Sequence, residues 1–125
     1  QVILVVDDNV TYCAAIAEIL AAAGFKALSA TSVQEAVLIL ADTTPDLILS
    51  DTMPLPDGIS LIRILRKIDR LKDIPVVTVS GRAMPLDRAE AISGGASSFL
   101  AKPFSAAQLL EVIQLHLPRP GRRAA

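Results

Sequence analysis

The sequence predicts a doubly wound α/β fold: a five-stranded parallel sheet, strand order 2-1-3-4-5, with helices on both faces. Two observations lead there. Five short apolar runs alternate strictly with five segments of helical period, and three of those runs are apolar at nearly every position. Alternation of this kind implies right-handed crossovers and a parallel sheet. Strands covered on both faces read as continuous apolar runs.

The strand candidates, in order, are Val2–Val6, Phe25–Leu28, Leu47–Leu49, Val76–Val79 and Phe99–Ala101. Between them the apolar spacing becomes i, i+3, i+4, i+7, as an amphipathic helix requires. Ile16, Ile19, Leu20 and Ala23 meet it in the first helix. Val33, Ala36, Val37 and Leu40 meet it in the second, and Leu61, Ile64, Leu65 and Ile68 in the third. The fourth is the weakest by periodicity and is closed by Gly94 and Gly95. Gly24 has the place of a residue just past a helix end, free to turn left-handed. Ser32 with Glu35, and Ser105 with Gln108, have capping-box spacing at helix starts.

The 125 residues suit one domain. We expect it to span 1–117, with 118–125 (Pro-Arg-Pro-Gly-Arg-Arg-Ala-Ala) a linker or disordered tail. The start at Gln1 rather than Met is expected of an excised fragment or a processed N-terminus. Three Phe, one Tyr and no Trp leave the core to aliphatic side chains. A net charge of −1 argues against a nucleic-acid-binding surface across the domain. The lone Cys13 has no partner for an internal disulfide, which points to a reducing, cytoplasmic compartment. No apolar run approaches the roughly 20 residues of a membrane span.

Ligands of such sheets bind beyond the carboxyl ends of the strands. Asp7, Asp8 and Asn9 follow the first strand, Asp51 the third, Ser80 the fourth, and Lys102-Pro103 the fifth. One acid after the first strand would serve as helix N-terminal charge. A second adds repulsion that a divalent cation relieves. Asp51 alone reads as a turn former and Ser80 alone as a strand end. Beside Asp7 and Asp8, Asp51 becomes the third member of an acidic pocket. Lys102 among three carboxylates forms either a structural ion pair or a catalytic one, and a cis Lys102-Pro103 bond would turn its ammonium into the pocket. Cys13 reads as a packing residue and His116 as a surface residue of the last helix.

These residues together resemble the response-regulator receiver family. The motifs are Val5-Val6-Asp7-Asp8-Asn9, Pro45-Asp46 running to Ser50-Asp51, Met53-Pro54 with Asp57-Gly58, Ile74-Pro75-Val76-Val77 leading to Ser80, and Gly95-Ala96 leading to Phe99 and Lys102-Pro103-Phe104. They cover Val2 to about Leu117, with 22 residues from Ser80 to Lys102 and three from Phe99 to Lys102. The resemblance implies a flavodoxin-like (βα)5 fold and a two-component signalling phosphoacceptor that assists its own phosphorylation and dephosphorylation, rather than an enzyme with a separate substrate. It implies Asp51 as phosphoacceptor, and Mg²⁺ held by Asp7, Asp8 and Asp51 with the carbonyl of Met53. It also implies Lys102 as the phosphoryl partner, Ser80 as switch hydroxyl and Phe99 as switch aromatic. The implied partners are a sensor histidine kinase or phosphotransfer protein, with an output domain or homodimer on the face of the fourth helix, fifth strand and fifth helix. Neither nucleic acid nor membrane is an implied partner of the domain.

The loop after Asp51 departs from the family pattern. The usual order is acceptor, two variable positions, Met, Pro, and Asp51-Thr52-Met53-Pro54 is one residue shorter. Counting back from Met53-Pro54 puts Ser50 at the acceptor position, whereas counting forward from Pro45-Asp46 gives Asp51. We assign Asp51, because an alcohol would not form an acyl phosphate. Gly81 stands in place of the usual Ala, and Phe99 in place of the commoner Tyr. Arg82, two residues after Ser80, either lies across the phosphoryl group as a charge-assisted lid or points into solvent. Three rival readings are weighed. A haloacid-dehalogenase-type enzyme would want an Asp where Met53 stands, and a flavin binder would find its phosphate repelled by Asp7-Asp8. A pseudo-receiver, binding partners only, draws its support from the shortened loop.

Overall fold

The computed structural model describes residues 1–51, 57–82 and 84–117, with only the backbone described for 57–60. The elements, in chain order, are β1 (Val2–Val6), α1 (Val10–Ala22), β2 (Lys26–Ala30), α2 (Val33–Asp42), β3 (Leu47–Asp51), α3 (Asp57–Arg66), β4 (Val76–Ser80), α4 (Pro85–Ser93), β5 (Ser98–Ala101) and α5 (Ala106–His116). All pairings are parallel, as the alternation predicts, and the strand order is β2-β1-β3-β4-β5, the order expected of the flavodoxin-like doubly wound class. Met53 and the expected tail at 118–125 lie outside the described residues.

Strand side chains alternate between the two faces of the sheet with period two, and this divides the core in two. Leu4, Val6, Ile48, Val76 and Phe99 pack toward α2, α3 and α4 against Ala36, Leu40, Leu61, Ile62, Leu65 and Ala91. Ile3, Val5, Leu47, Leu49, Val77 and Val79 pack toward α1 and α5 against Ile16, Leu20, Leu109 and Ile113. Burial on both faces is the physical reason the central runs lack polar alternation.

Helix ends follow their caps. Asn9 caps α1, its Oδ1 accepting the Tyr12 amide at 3.0 Å. Ser105 and Gln108 form the reciprocal box at α5. At α2 only half of the expected box forms: Ser32 Oγ accepts the Glu35 amide, while the Glu35 carboxylate turns to the amide and hydroxyl of Thr31. Gly24 and Gly95 adopt φ of 92° and 111°. At Gly95 a Cβ would stand 2.8 Å from Ile62 Cγ2, so glycine is required for space as well as for backbone conformation.

Several expectations shift on the structure. β2 runs Lys26–Ala30 instead of Phe25–Leu28, because Phe25 turns into the α1 core before the strand begins. In α2, Val37 is exposed and Ile39 joins Ala36 and Leu40 on the core. In α3 the buried stripe is Leu61, Ile62 and Leu65, leaving Ile64 and Ile68 more than a third exposed. Both stripes fit a helical period. The close approach of the turn before β5 selects Ile62, and the helix ends at Arg66, before Ile68. Arg66 then ties three segments together by donating to the carbonyls of Lys72, Ile74 and Gly95 at 2.8–2.9 Å.

Candidate functional site

The carboxyl ends of β1, β3, β4 and β5 meet at one edge of the sheet. The β1–β3 register pairs Val6 with Ser50, which brings Asp7 beside Asp51 just beyond it. Asp7 follows Ile3 and Val5 in parity, and Asp51 follows Leu47 and Leu49. Both carboxylates therefore leave the sheet on the α1/α5 side. Ser50 has the opposite parity, shared with Ile48. It is almost fully buried and donates its hydroxyl to the Asp51 carbonyl at 3.4 Å. Ser50 does not join the carboxylate pocket.

Asp7 is buried, with Oδ1 accepting the Asn9 amide at 2.9 Å, while Asp8 is exposed. Neither carboxylate belongs to the first turn of α1, which holds no acid. Asp7 reaches the helix start through the amide of the N-cap Asn9, and that role leaves the second acid, Asp8, unexplained. One oxygen from each of Asp7, Asp8 and Asp51 lies within 4.8 Å of the others. The residues fit a hard divalent cation: three convergent carboxylates and no nitrogen or sulfur donor among them.

Lys102 enters this pocket from β5. Its amide donates to the Ser80 carbonyl at 2.8 Å, and the Lys102-Pro103 bond is cis, the isomer that the sequence left open. Its Nζ lies 3.0 Å from Asp7 Oδ2 and 3.2 Å from Asp51 Oδ1. Burial, together with the neighbouring Asp7 charge, pushes the Asp51 carboxyl above its ordinary range, and contact with Lys102 offsets only part of this. Burial acts to lower the Lys102 ammonium, but its bonds to Asp7 and Asp51 outweigh that and raise it. The pair is thus a charged lysine shared between two carboxylates, one of which is costly to ionise.

Ser80 is buried at the end of β4, with Oγ accepting the Arg82 amide at 3.0 Å. Phe99 is buried in the α4-side core, opposite Thr78 in the β4–β5 register. The sequence reading gave no sign that the Arg88 guanidinium covers the Phe99 ring, 4.7 Å from its centroid. Of the two alternatives for Arg82, the structure favours the solvent-facing one. Its side chain is largely exposed and reaches Asp87 on α4 at 3.5 Å.

The sequence reading also missed Tyr12, whose ring lies 4.3 Å beneath Lys102 Nζ and meets Phe104 edge-on at 5.8 Å. The signal was available: Asn9 as N-cap puts position 12 in the first turn, beside the strand ends. Cys13 packs in the core as expected and also donates its thiol to the Asp7 carbonyl at 3.3 Å. His116 is half-buried rather than on the surface, its Nε2 lying 2.7 Å from Ser98 Oγ.

A five-stranded 2-1-3-4-5 sheet with an acidic pocket and a lysine at its carboxyl edge defines a class of signalling domain, and comparison with known proteins names it. The chain belongs to the response regulator receiver domain family, which matches residues 3–114. It is 36% identical over 98% of its length to the transcriptional regulatory protein PrrA of Mycobacterium leprae, covering 52% of that protein. The chain thus spans about half the length of such curated relatives. The chemotaxis protein CheY4 of Vibrio cholerae superposes with a TM-score of 0.87 at 27% identity, covering 94% of this chain and 98% of that one. The receiver domain of sensor histidine kinase PA1611 from Pseudomonas aeruginosa superposes with a TM-score of 0.83 at 29% identity, covering 93% and 96%. That structure holds a magnesium ion coordinated in its active site cleft. Family membership removes the dehalogenase and flavin-binding readings. Among the described residues no helix is long and apolar enough to cross a membrane.

Proposed function

We propose that Asp51 accepts a phosphoryl group from the phosphohistidine of a sensor kinase or phosphotransfer protein, and that the domain catalyses this transfer on itself. The observation that carries the reading is the ammonium of Lys102 held between Asp7 and Asp51 at the sheet edge. In the transfer an Asp51 carboxylate oxygen attacks phosphorus. The P–O bond forms as the P–N bond breaks, and the leaving imidazole keeps the electron pair and takes up a proton. Lys102 sits close enough to transfer a hydrogen bond from Asp51 to a phosphoryl oxygen, offsetting charge where it accumulates. Asp7, Asp8 and Asp51 are the residues that would hold Mg²⁺, with the carbonyl of Met53 as a fourth donor by family likeness. The magnesium in the cleft of the PA1611 receiver supports this. Bound there, the ion supplies charge neutralisation for bringing anionic donor and acceptor together. Dephosphorylation is a separate hydrolysis: water attacks phosphorus in line with the Asp51 oxygen, the P–O bond to Asp51 breaks, and the Asp51 carboxylate and inorganic phosphate are released.

Ser80 and Phe99 then carry the change outward. The Ser80 hydroxyl, whose oxygen accepts the Arg82 amide, donates its proton to a phosphoryl oxygen, and Phe99, on the same side of the sheet, repacks in response. The responding surface is α4, β5 and α5, facing an output domain or a second copy. The domain itself contacts neither nucleic acid nor membrane. The cytoplasm, where kinase, Mg²⁺ and a reduced Cys13 coexist, is the compartment this chemistry calls for. The test is phosphorylation by acetyl phosphate in parent and Asp51→Asn. A parent that binds Mg²⁺ and stays unmodified would be a pseudo-receiver.

A further inference from the structure

Lys102 has three N–H donors, and two of them are directed at Asp7 and Asp51. On another side of the ammonium stands the ring of Tyr12, 4.3 Å from Nζ to the centroid. A ring face attracts a cation through its quadrupole and, unlike water or a third carboxylate, offers no lone pair to compete for the donors. The ring is itself fixed. Asn9 Oδ1 accepts the Tyr12 amide, the Asn9 amide donates to Asp7 Oδ1, and Phe104 abuts the ring edge-on. Asp7, Asn9, Tyr12 and Lys102 thus form a closed circuit of contacts that returns to Asp7.

We propose that Tyr12 is a positioning residue for the phosphoryl-transfer step: its ring holds the Lys102 ammonium on the Asp51 side of the pocket and keeps water from its other side. The inference rests on the reading of Asp51 as phosphoacceptor and adds a residue to it. The ring does this work, not the hydroxyl. Without the ring, the long lysine side chain gains rotamers that carry Nζ away from Asp51, and the ammonium takes up water that transfer must displace. Maximal rate suffers, while the concentration of donor needed for half of that rate stays nearly the same.

The experiment compares parent, Tyr12→Phe and Tyr12→Leu, each first checked for folding by thermal unfolding. Two quantities are read. The Lys102 ε-methylene resonances are assigned by Lys102→Arg. They are expected to be shifted upfield by the ring in parent and Tyr12→Phe, and to return to ordinary lysine positions in Tyr12→Leu. Phosphorylation by acetyl phosphate with excess Mg²⁺ is then followed. Tyr12→Phe should match the parent within a factor of two, and Tyr12→Leu should lose about fivefold in maximal rate, equivalent to about 1 kcal/mol. Unshifted Lys102 resonances in the parent, or a folded Tyr12→Leu with the parent's maximal rate, would overturn the proposal. A Tyr12→Phe as slow as Tyr12→Leu would overturn the assignment to the ring. A parent that takes up no phosphoryl group contradicts the Asp51 reading instead, and the resonance shifts alone then decide whether Tyr12 positions Lys102.

Discussion

Lys102 Nζ lies 3.2 Å from Asp51 Oδ1, and the side chains concerned are only 23% and 14% exposed. At that depth neither charge is well solvated, and Asp7 shares the same ammonium at 3.0 Å. Removing the lysine leaves two neighbouring carboxylates without their cation. We expect Lys102→Ala to destabilise the Mg²⁺-free domain by about 1–3 kcal/mol, less than for a fully buried pair because the site is partly open to solvent. Adding Asp51→Asn to it should recover part of the loss. Urea unfolding of the two single variants and the double variant measures the coupling, and strictly additive effects would contradict a shared ion cluster.

Asp51 itself should behave in the opposite way. Its carboxyl is raised above its ordinary 3.8 by burial and by Asp7, so the folded chain binds a proton there more tightly than the unfolded chain does. The sign follows from linkage. This contribution to stability is fully present below the unfolded value and is lost as pH rises through the folded one. At neutral pH an ionised Asp51 is therefore a cost. Asp51→Asn should raise the Tm of the Mg²⁺-free domain at pH 7 by about 4 °C, on the order of 1 kcal/mol. The gain should shrink as pH falls toward 4 and when Mg²⁺ is added. A lower Tm at pH 7 would contradict the sign.

Gly95 and Arg66 predict the behaviour of the scaffold. Gly95→Ala places a Cβ 2.8 Å from Ile62 Cγ2 on a backbone with φ of 111°. We expect it to cost about 1–3 kcal/mol from backbone strain and overpacking together. Arg66→Ala removes a guanidinium bonded to three carbonyls and should cost about 2–3 kcal/mol. Phosphorylation should survive both changes below the unfolding transition, since neither residue reaches the carboxylate pocket. Loss of phosphorylation in a folded variant would contradict that separation.

The parallel strands and the residues at their carboxyl ends were legible in the sequence because both depend on local pattern, whereas the strand order came from the fold class. Continuous apolar runs identify buried parallel strands, and the residue after each run falls at the sheet edge. What the pattern could not resolve was helix rotation. In α3, Ile62 and Ile64 both fit a helical stripe, and the approach of the Gly95 turn decided between them. Tyr12, Arg88 and Arg66 were missed because each acts on a partner in another segment, Lys102, Phe99 and Gly95; the first-turn position of Tyr12 was legible, but its partner was not. Counting motif positions left Ser50 and Asp51 both open; chemistry chose Asp51, and strand parity then placed the Ser50 side chain on the opposite face of the sheet.

Arg82 changes the expectation for the lifetime of the phosphoryl group. Its guanidinium pairs with Asp87 and is mostly in solvent, so it does not cover the in-line approach to Asp51. Arg82→Ala should leave the phosphoryl half-life, followed with Mg²⁺ in excess after donor removal, within about twofold of the parent, a barrier change below about 0.5 kcal/mol. A tenfold acceleration would restore the lid.

Switching should run through the hydroxyl of Ser80 rather than through the capacity to be phosphorylated. In Ser80→Ala, phosphoryl transfer should continue while the amide shift changes over residues 84–117 shrink, because the phosphate can favour the active arrangement only to the extent that it binds it better. Equal shift changes in Ser80→Ala and parent would contradict this route.

The most direct test of the central claim is the site of phosphorylation. The chain is incubated with acetyl phosphate and Mg²⁺, and the phosphoryl group is located by mass spectrometry after borohydride trapping, with hydroxylamine lability read in parallel. One hydroxylamine-labile phosphoryl group per chain, on Asp51 and absent from Asp51→Asn, is the predicted result. A hydroxylamine-stable group on Ser50, or undiminished labelling of Asp51→Asn, would contradict it.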